Sequence, residues 1–258
     1  MKESGPPSFF VRQLRVMVGL LRFLEIVAVA FGDYLFRFVF QRKGCTRPLR
    51  AAWLQCHCRR ALDVFKLRVR VTGAVPQGGL LISNHLSYVD ILVLSSIVPA
   101  VFVAKREVKF WPAVGWLAQL AGTLFVDRRR RTQVGETNTE IQSALDSGVL
   151  VVLFPEGTSS DGSGVLPFRS ALLEPAARRI HPLSLSCIQY AMDDGDAATD
   201  VCYWGDDVFF PHLLNLLTHR GFRVTVQFSP VLPVTTDRKE LARQLHAGIL
   251  KLKAGNLS

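Results

Sequence analysis

The stretch Leu80-Leu81-Ile82-Ser83-Asn84-His85-Leu86-Ser87-Tyr88-Val89-Asp90 passes from three aliphatic residues into a polar turn and then into a second apolar segment. A short aliphatic run bounded by turn residues reads as a buried strand. The segment 89–97 after it has the length and composition of a helix. The same alternation extends outward in both directions. Leu67, Val69 and Val71 alternate with Arg68, Arg70 and Thr72, the period of a half-buried strand. Buried strands are expected again at 101–104, 123–126, 149–154, 183–188 and 224–228. Helical stretches fall at roughly 110–120, 134–147 and 168–178, and a last one at 238–253 follows the capping pair Thr236-Asp237. Residues 191–200, rich in Asp, Ala and Gly, read as a surface loop. Strands alternating with helices predict an α/β fold, a sheet flanked by helices.

Upstream of the first strand the character changes. From Phe9 to Phe40 the chain is dominated by Phe, Leu, Val and Ala, broken by Arg22, Glu25, Asp33 and Arg37. A transmembrane helix needs about 20 mostly apolar residues, and these charges interrupt such a run. No small-residue cleavage site closes it, which argues against a signal peptide. A helix lying in the headgroup region fits best; a span and a buried core helix are the alternatives. Arg12, Arg15, Arg42, Lys43, Arg47 and Arg50 flank the segment and are candidates to meet anionic lipid. Gly44 and Pro48 mark a break, and 49–66 reads as a second helix. Residues 1–66 are therefore assigned to a helical membrane-association motif and 67–258 to the α/β domain.

Of the 258 residues 49% are hydrophobic, and the formal net charge is +10. Mean hydropathy is +0.23. Basic and apolar together fit an anionic membrane surface. Nucleic acid would fit the charge alone, but the aromatic-basic interleaving of such proteins is missing. Five cysteines, an odd number, argue against a disulfide framework. Cys56-His57-Cys58 has no second ligand pair at zinc-site spacing, so no metal is expected.

Chemistry concentrates at strand exits. His85 follows a strand directly, where α/β folds present ligand-binding residues. Imidazole takes a proton near neutral pH, and a carboxylate can fix its tautomer. Asp90 stands five positions on, which rotates the direction by about 140° in a continuous helix. The two can meet only if His85 lies in the turn ahead of the helix. Taken alone, the pair is also compatible with a satisfied loop histidine. Val151-Val152-Leu153-Phe154-Pro155-Glu156-Gly157-Thr158 is a second strand exit, with a carboxylate and a glycine that lets backbone approach a ligand. Gly122 to Arg128, followed by Arg129, Arg130 and Arg131, could hold phosphate or form a solvated basic face.

These blocks resemble, in order, those of the glycerolipid acyltransferase family, which includes the 1-acylglycerol-3-phosphate acyltransferases. They are Asn84-His85 with Asp90, Phe125-Val126-Asp127-Arg128 after Gly122, and Phe154-Pro155-Glu156-Gly157-Thr158. Val103-Ala104-Lys105-Arg106-Glu107 with Pro112, Gly115 and Trp116 resembles the family's intervening segment, and Trp204-Gly205-Asp206 extends the match weakly. The resemblance implies a mixed sheet flanked by helices, with an N-terminal two-helix motif seated in one leaflet. It implies that His85 is the general base and Asp90 its orienting partner. Asn84, Lys105, Arg128, Glu156, Gly157, Thr158 and Arg169 would bind acceptor or substrate. The donor would be an acyl thioester of coenzyme A or acyl carrier protein, the acceptor a lysolipid, with no metal or redox cofactor. The location implied is the cytoplasmic face of an inner membrane, monotopic or peripheral, with a single N-terminal span as the alternative.

Two positions depart from the family. Ser159 stands where an arginine commonly follows the threonine, and Phe168-Arg169-Ser170-Ala171 replaces Phe-Lys-x-Gly. Loss of a charge-assisted bond weakens binding of a phosphate by roughly 1.5–3 kcal/mol. Phe154-Pro155-Glu156-Gly157-Thr158-Ser159-Ser160-Asp161-Gly162 with Leu166 to Ser170 resembles the bacterial branch that acylates lyso-ornithine lipid. The reading is therefore O-acyl transfer to a lysolipid, 1-acylglycerol-3-phosphate first and lyso-ornithine lipid as the alternative acceptor. Two other classes compete: a lipid-binding membrane protein without turnover, and a nucleic-acid-binding protein.

Overall fold

The computed structural model describes residues 9–41, 44–127, 131–178, 180–232 and 235–255. Along the chain run α1 (Phe9–Tyr34), a wide π-helical continuation (Leu35–Phe40), α2 (Arg47–Val64), β1 (Leu67–Thr72), β2 (Leu80–Ser83), α3 (Val89–Ile97) and β3 (Ala100–Lys105). A 3-10 turn (Arg106–Phe110) leads to α4 (Val114–Ala121), β4 (Leu124–Val126), α5 (Arg131–Asp146) and β5 (Leu150–Leu153). A second 3-10 turn (Ser170–Leu172) precedes α6 (Glu174–Ala177), β6 (Leu183–Met192), α7 (Ala197–Asp200), α8 (Phe209–Thr218), β7 (Phe222–Val231) and α9 (Arg238–Gly255).

The aliphatic runs all pair into one seven-stranded sheet, ordered β1-β7-β6-β2-β5-β3-β4. Five strands are parallel, and the antiparallel β6–β7 ladder turns β7 and β1 the other way, which makes the sheet mixed. Alternate residues of the central strands β2, β5 and β3 feed two cores. Leu80, Ile82, Val151 and Leu153 face one side with Ile141 of α5 and Leu245 of α9. Leu81, Leu150 and Val152 face the other with Val93 of α3 and Leu213 of α8. Burial of each large aliphatic side chain contributes about 1.5–3 kcal/mol.

Three expectations need correction. The helix expected at 110–120 is shortened to α4, after a 3-10 turn that ends at Phe110, because Pro112 and the positive φ of Ala113 break it. Residues 168–178 yield only a 3-10 turn and the single turn of α6. The 191–200 loop is part structured: Asp196 accepts the backbone N–H of Ala198 and caps α7. The Asp237 cap is made, its carboxylate accepting the N–H groups of Lys239 and Glu240.

Helix α1 packs on α2, α4 and α8, and α2 packs on α3 and β3. Its inner residues Val16, Leu20, Phe23 and Ile26 join the core. Its outer residues Phe10, Leu14, Met17, Leu21 and Leu24 are exposed, each at least 46%. Their spacing of three and four makes one continuous apolar stripe. No helix among the described residues is long and apolar enough to cross a membrane. The flanking arginines expected at lipid are largely engaged with protein. Arg15 donates to Thr218 O at the end of α8, Arg50 to Gln119 O and Leu120 O at the end of α4, and Arg47 to Ser143. Cations at helix C-termini satisfy the last carbonyls. Arg42 and Lys43 lie outside the described residues.

Candidate active site

The parallel pairing of β2 with β5 sets Ile82 opposite Leu153, so both chains leave the sheet on the same edge. His85 lies in the turn after β2, ahead of α3. Asp90 sits in the first turn of α3 and is fully buried. Its Oδ2 accepts the N–H groups of Leu86 at 2.7 Å and Ser87 at 3.1 Å, which folds the turn back over the helix start. The same oxygen lies 2.8 Å from His85 Nδ1. A buried carboxylate there accepts, so Nδ1 carries the hydrogen and Nε2 is the basic nitrogen. Asp90 Oδ1 accepts the hydroxyl of Tyr190 at 2.7 Å. The imidazole stacks on Phe154, centroids 4.1 Å apart and planes at 17°. It lines a cavity of about 410 Å³ and keeps 21% side-chain exposure.

The expected substrate-binding residues divide. Lys105, Gly157 and Thr158 line this cavity with His85. Gly157 holds a φ of +78°, a left-handed conformation that favours glycine. Glu156 does not face the cavity. Its buried carboxylate accepts the N–H of His85 through Oε1 and of Leu166 through Oε2, each at 2.7 Å. Burial pushes its pKa up, and the two N–H donors oppose that shift. Asn84 is likewise buried: its amide donates to Ile188 O at 2.9 Å and accepts Ile188 N–H at 2.7 Å, joining the exit of β2 to β6. Both side chains thus brace the strand exits, each bonded to two backbone groups. Arg169 lines a different hollow, with Leu153, Pro155 and Leu172. Arg128 lies outside the described residues.

Other cavity residues were not assigned to the site from the sequence, although Tyr88 and Glu107 stand inside blocks read there. Glu107, on the 3-10 turn, and Asp207 bring acidic groups to the wall, and Tyr88, Trp111 and Tyr203 bring aromatic ones. Ser159 donates its hydroxyl to Tyr203 O. Cys187 is buried, its thiol pushed up to about 11 by burial, and it is not on the wall. Among the described residues no cluster of His, Cys, Asp and Glu is arranged for a metal. His57 of the Cys-His-Cys run instead meets Asp33 at 3.1 Å.

A second cavity, about 110 Å³ and walled almost wholly by apolar side chains, shares Tyr88, Ile91, Ala104, Val108 and Val114 with the first. It runs away from His85 to Phe23, Ile26 and Ala30 of α1 and to Trp53 and Ala61 of α2. The site therefore sets an imidazole, with Nε2 free of the Asp90 contact, on the wall of one cavity beside a second, apolar one.

A family model described as Acyltransferase matches residues 66–188. The chain is 36% identical over 222 residues to a protein of Rhizobium meliloti named lyso-ornithine lipid O-acyltransferase, covering 80% of this chain and 76% of that one. It is 41% identical over 116 residues to a 1-acyl-sn-glycerol-3-phosphate acyltransferase of Neisseria gonorrhoeae, covering 45% and 46%. The fold matches the crystal structure of the 1-acyl-sn-glycerophosphate acyltransferase PlsC of Thermotoga maritima with a TM-score of 0.66, at 24% identity over 94% of this chain and 98% of that one.

Proposed function

The chain belongs to the acyltransferase family, and from that premise we propose that it acylates the hydroxyl of lyso-ornithine lipid at a membrane surface. His85 Nε2 takes the proton of the lipid hydroxyl as its oxygen attacks the thioester carbonyl carbon. The carbon–oxygen bond forms, the carbon–sulfur bond breaks, and the imidazolium returns the proton to the leaving thiolate. Asp90 holds the Nδ1 tautomer and stabilises the imidazolium. The acyl donor is a thioester of coenzyme A or acyl carrier protein, and no metal or redox group takes part. The acyl chain lies in the apolar cavity.

The observation that carries the reaction is the His85 Nδ1 to Asp90 Oδ2 contact on the wall of a cavity that shares five lining residues with an apolar one. Three observations favour the lyso-ornithine acceptor. The similarity to a protein of that name spans 80% of the chain, against 45% for the phosphate-acceptor relative. Ser159 supplies no cation. Lys105 on the wall is accompanied by Glu107 and Asp207, and such mixed charge suits a head bearing one carboxylate and one ammonium. A doubly charged phosphate head gains less from a wall that carries two carboxylates beside one ammonium. 1-Acylglycerol-3-phosphate is the second reading, favoured by that relative's name. The exposed stripe of α1 supports seating on a membrane surface, for which the cytoplasmic face of an inner membrane is proposed.

The test is an acceptor screen with one labelled acyl-CoA, comparing lyso-ornithine lipid with lysophosphatidic acid. Transfer favouring lyso-ornithine lipid, lost in folded His85→Ala and reduced about ten-thousand-fold in Asp90→Asn, is the expected result. Transfer by His85→Ala at the wild-type rate would reject the base. A preference for lysophosphatidic acid would reject the acceptor.

A further inference from the structure

Carboxylate torsions are soft, because rotation about a bond to an sp² carbon has broad minima. Something outside the aspartate must therefore set which oxygen Asp90 presents to His85. Oδ2 carries three donors, from His85, Leu86 and Ser87, while Oδ1 accepts the hydroxyl of Tyr190, 100 positions along the chain. We propose that Tyr190 is a positioning residue for acyl transfer, holding the Asp90 carboxylate so that Oδ2 stays aligned with His85 Nδ1. The inference rests on the transfer reading above.

Tyr190 is itself held. It lies on β6, which pairs with β2 on one side and with β7 on the other, opposite Val224. Its ring meets the edge of Phe222, centroids 6.1 Å apart. Asn84 clamps both backbone groups of Ile188, two residues before Tyr190 and on the same face of the strand. The residue next to the base thus fixes the strand that carries the tyrosine. Burial and the charge of Asp90 hold the phenol far above its ordinary pKa, so it remains a donor throughout the working range. Glu156, Tyr88 and Cys202 are the other titratable groups whose charges reach this cluster. Burial keeps Tyr88 and Cys202 protonated.

A buried carboxylate needs donors for stability alone, so the test must separate positioning from satisfaction. Full-length Tyr190→Phe and wild type are compared in lipid vesicles with acyl-CoA and lysolipid, recording kcat, both KM values, the pH profile and the melting temperature. Positioning predicts that kcat falls about ten-fold or more with KM unchanged. It also predicts that the acid limb of kcat/KM moves to higher pH, because a carboxylate with one donor fewer holds the imidazolium proton more tightly. Difluorotyrosine at 190 keeps the shape and donates more strongly, so its acid limb should move to lower pH; it also serves if Tyr190→Phe fails to fold. An active wild type with kcat and acid limb unchanged in both variants, and only the melting temperature lowered, would overturn this inference alone. A wild type that transfers no acyl group would overturn the transfer reading and this inference with it.

Discussion

Glu156 Oε1 accepts the backbone N–H of His85 at 2.7 Å, so the carboxylate of one strand exit sets the backbone of the other. The other oxygen holds Leu166 N–H at the same distance. Both oxygens must accept, which a carboxylate does and an amide does not. Glu156→Gln turns an NH₂ toward one of these donors. The expected loss is about 1–3 kcal/mol of stability together with at least a ten-fold fall in kcat, read by thermal unfolding and acyl transfer. Unaltered kcat would show that the turn carrying His85 keeps its shape unaided.

Ala118 lines the apolar cavity but not the one that holds His85, and it is only partly buried. A phenylalanine there fills the far part of the chain site without reaching His85. Each methylene kept out of an apolar site costs about 0.8 kcal/mol, roughly a four-fold loss. Ala118→Phe should lower kcat/KM for long acyl-CoA by that factor per displaced methylene and leave short chains unaffected. A uniform loss across chain lengths would place the acyl chain elsewhere.

Burial lowers the pKa of His57 below its ordinary 6.5, against the opposing pull of Asp33. The unfolded chain therefore binds the proton more readily than the folded one. The stability that neutral His57 contributes is complete above about pH 6.5 and is lost as pH falls from there through the lower folded value. The melting temperature of the wild type should drop over that window more than that of His57→Gln. Parallel curves for the two proteins would assign the acid sensitivity to other groups.

The stripe Leu14, Met17, Leu21 and Leu24 faces outward along α1. Replacing Met17 and Leu21 by aspartate puts charge into the surface assigned to lipid while sparing Val16 and Leu20, which pack inward. Co-sedimentation with anionic vesicles should fall about ten-fold or more, since each buried apolar side chain contributes about 1.5–3 kcal/mol. The melting temperature should hold. Binding unchanged by both aspartates would place the membrane contact on another face.

Local pattern was enough for the seven strands, because the central ones are short aliphatic runs buried on both faces and β1 at the edge alternates with the period of a half-buried strand. It was also enough for the placement of His85 ahead of a helix, since five residues of helix cannot bring two side chains together. Helix α8 escaped it: Phe209–Thr218 is short, and Pro211 argues against a helix although a first-turn proline is tolerated. The resemblance assigned Glu156 and Asn84 to the acceptor, and residue type and strand-end position do not say which way a side chain turns. The tertiary structure decided that, by bringing the β5 exit beside the β2 exit and Ile188 within reach of Asn84. It alone supplied Tyr190 and the α1–α2 wall of the apolar cavity. The contacts of Asn84, Glu156 and Tyr190 join segments roughly 70 to 100 positions apart in the chain, and only strand order, which makes β2 the neighbour of both β5 and β6, brings them together.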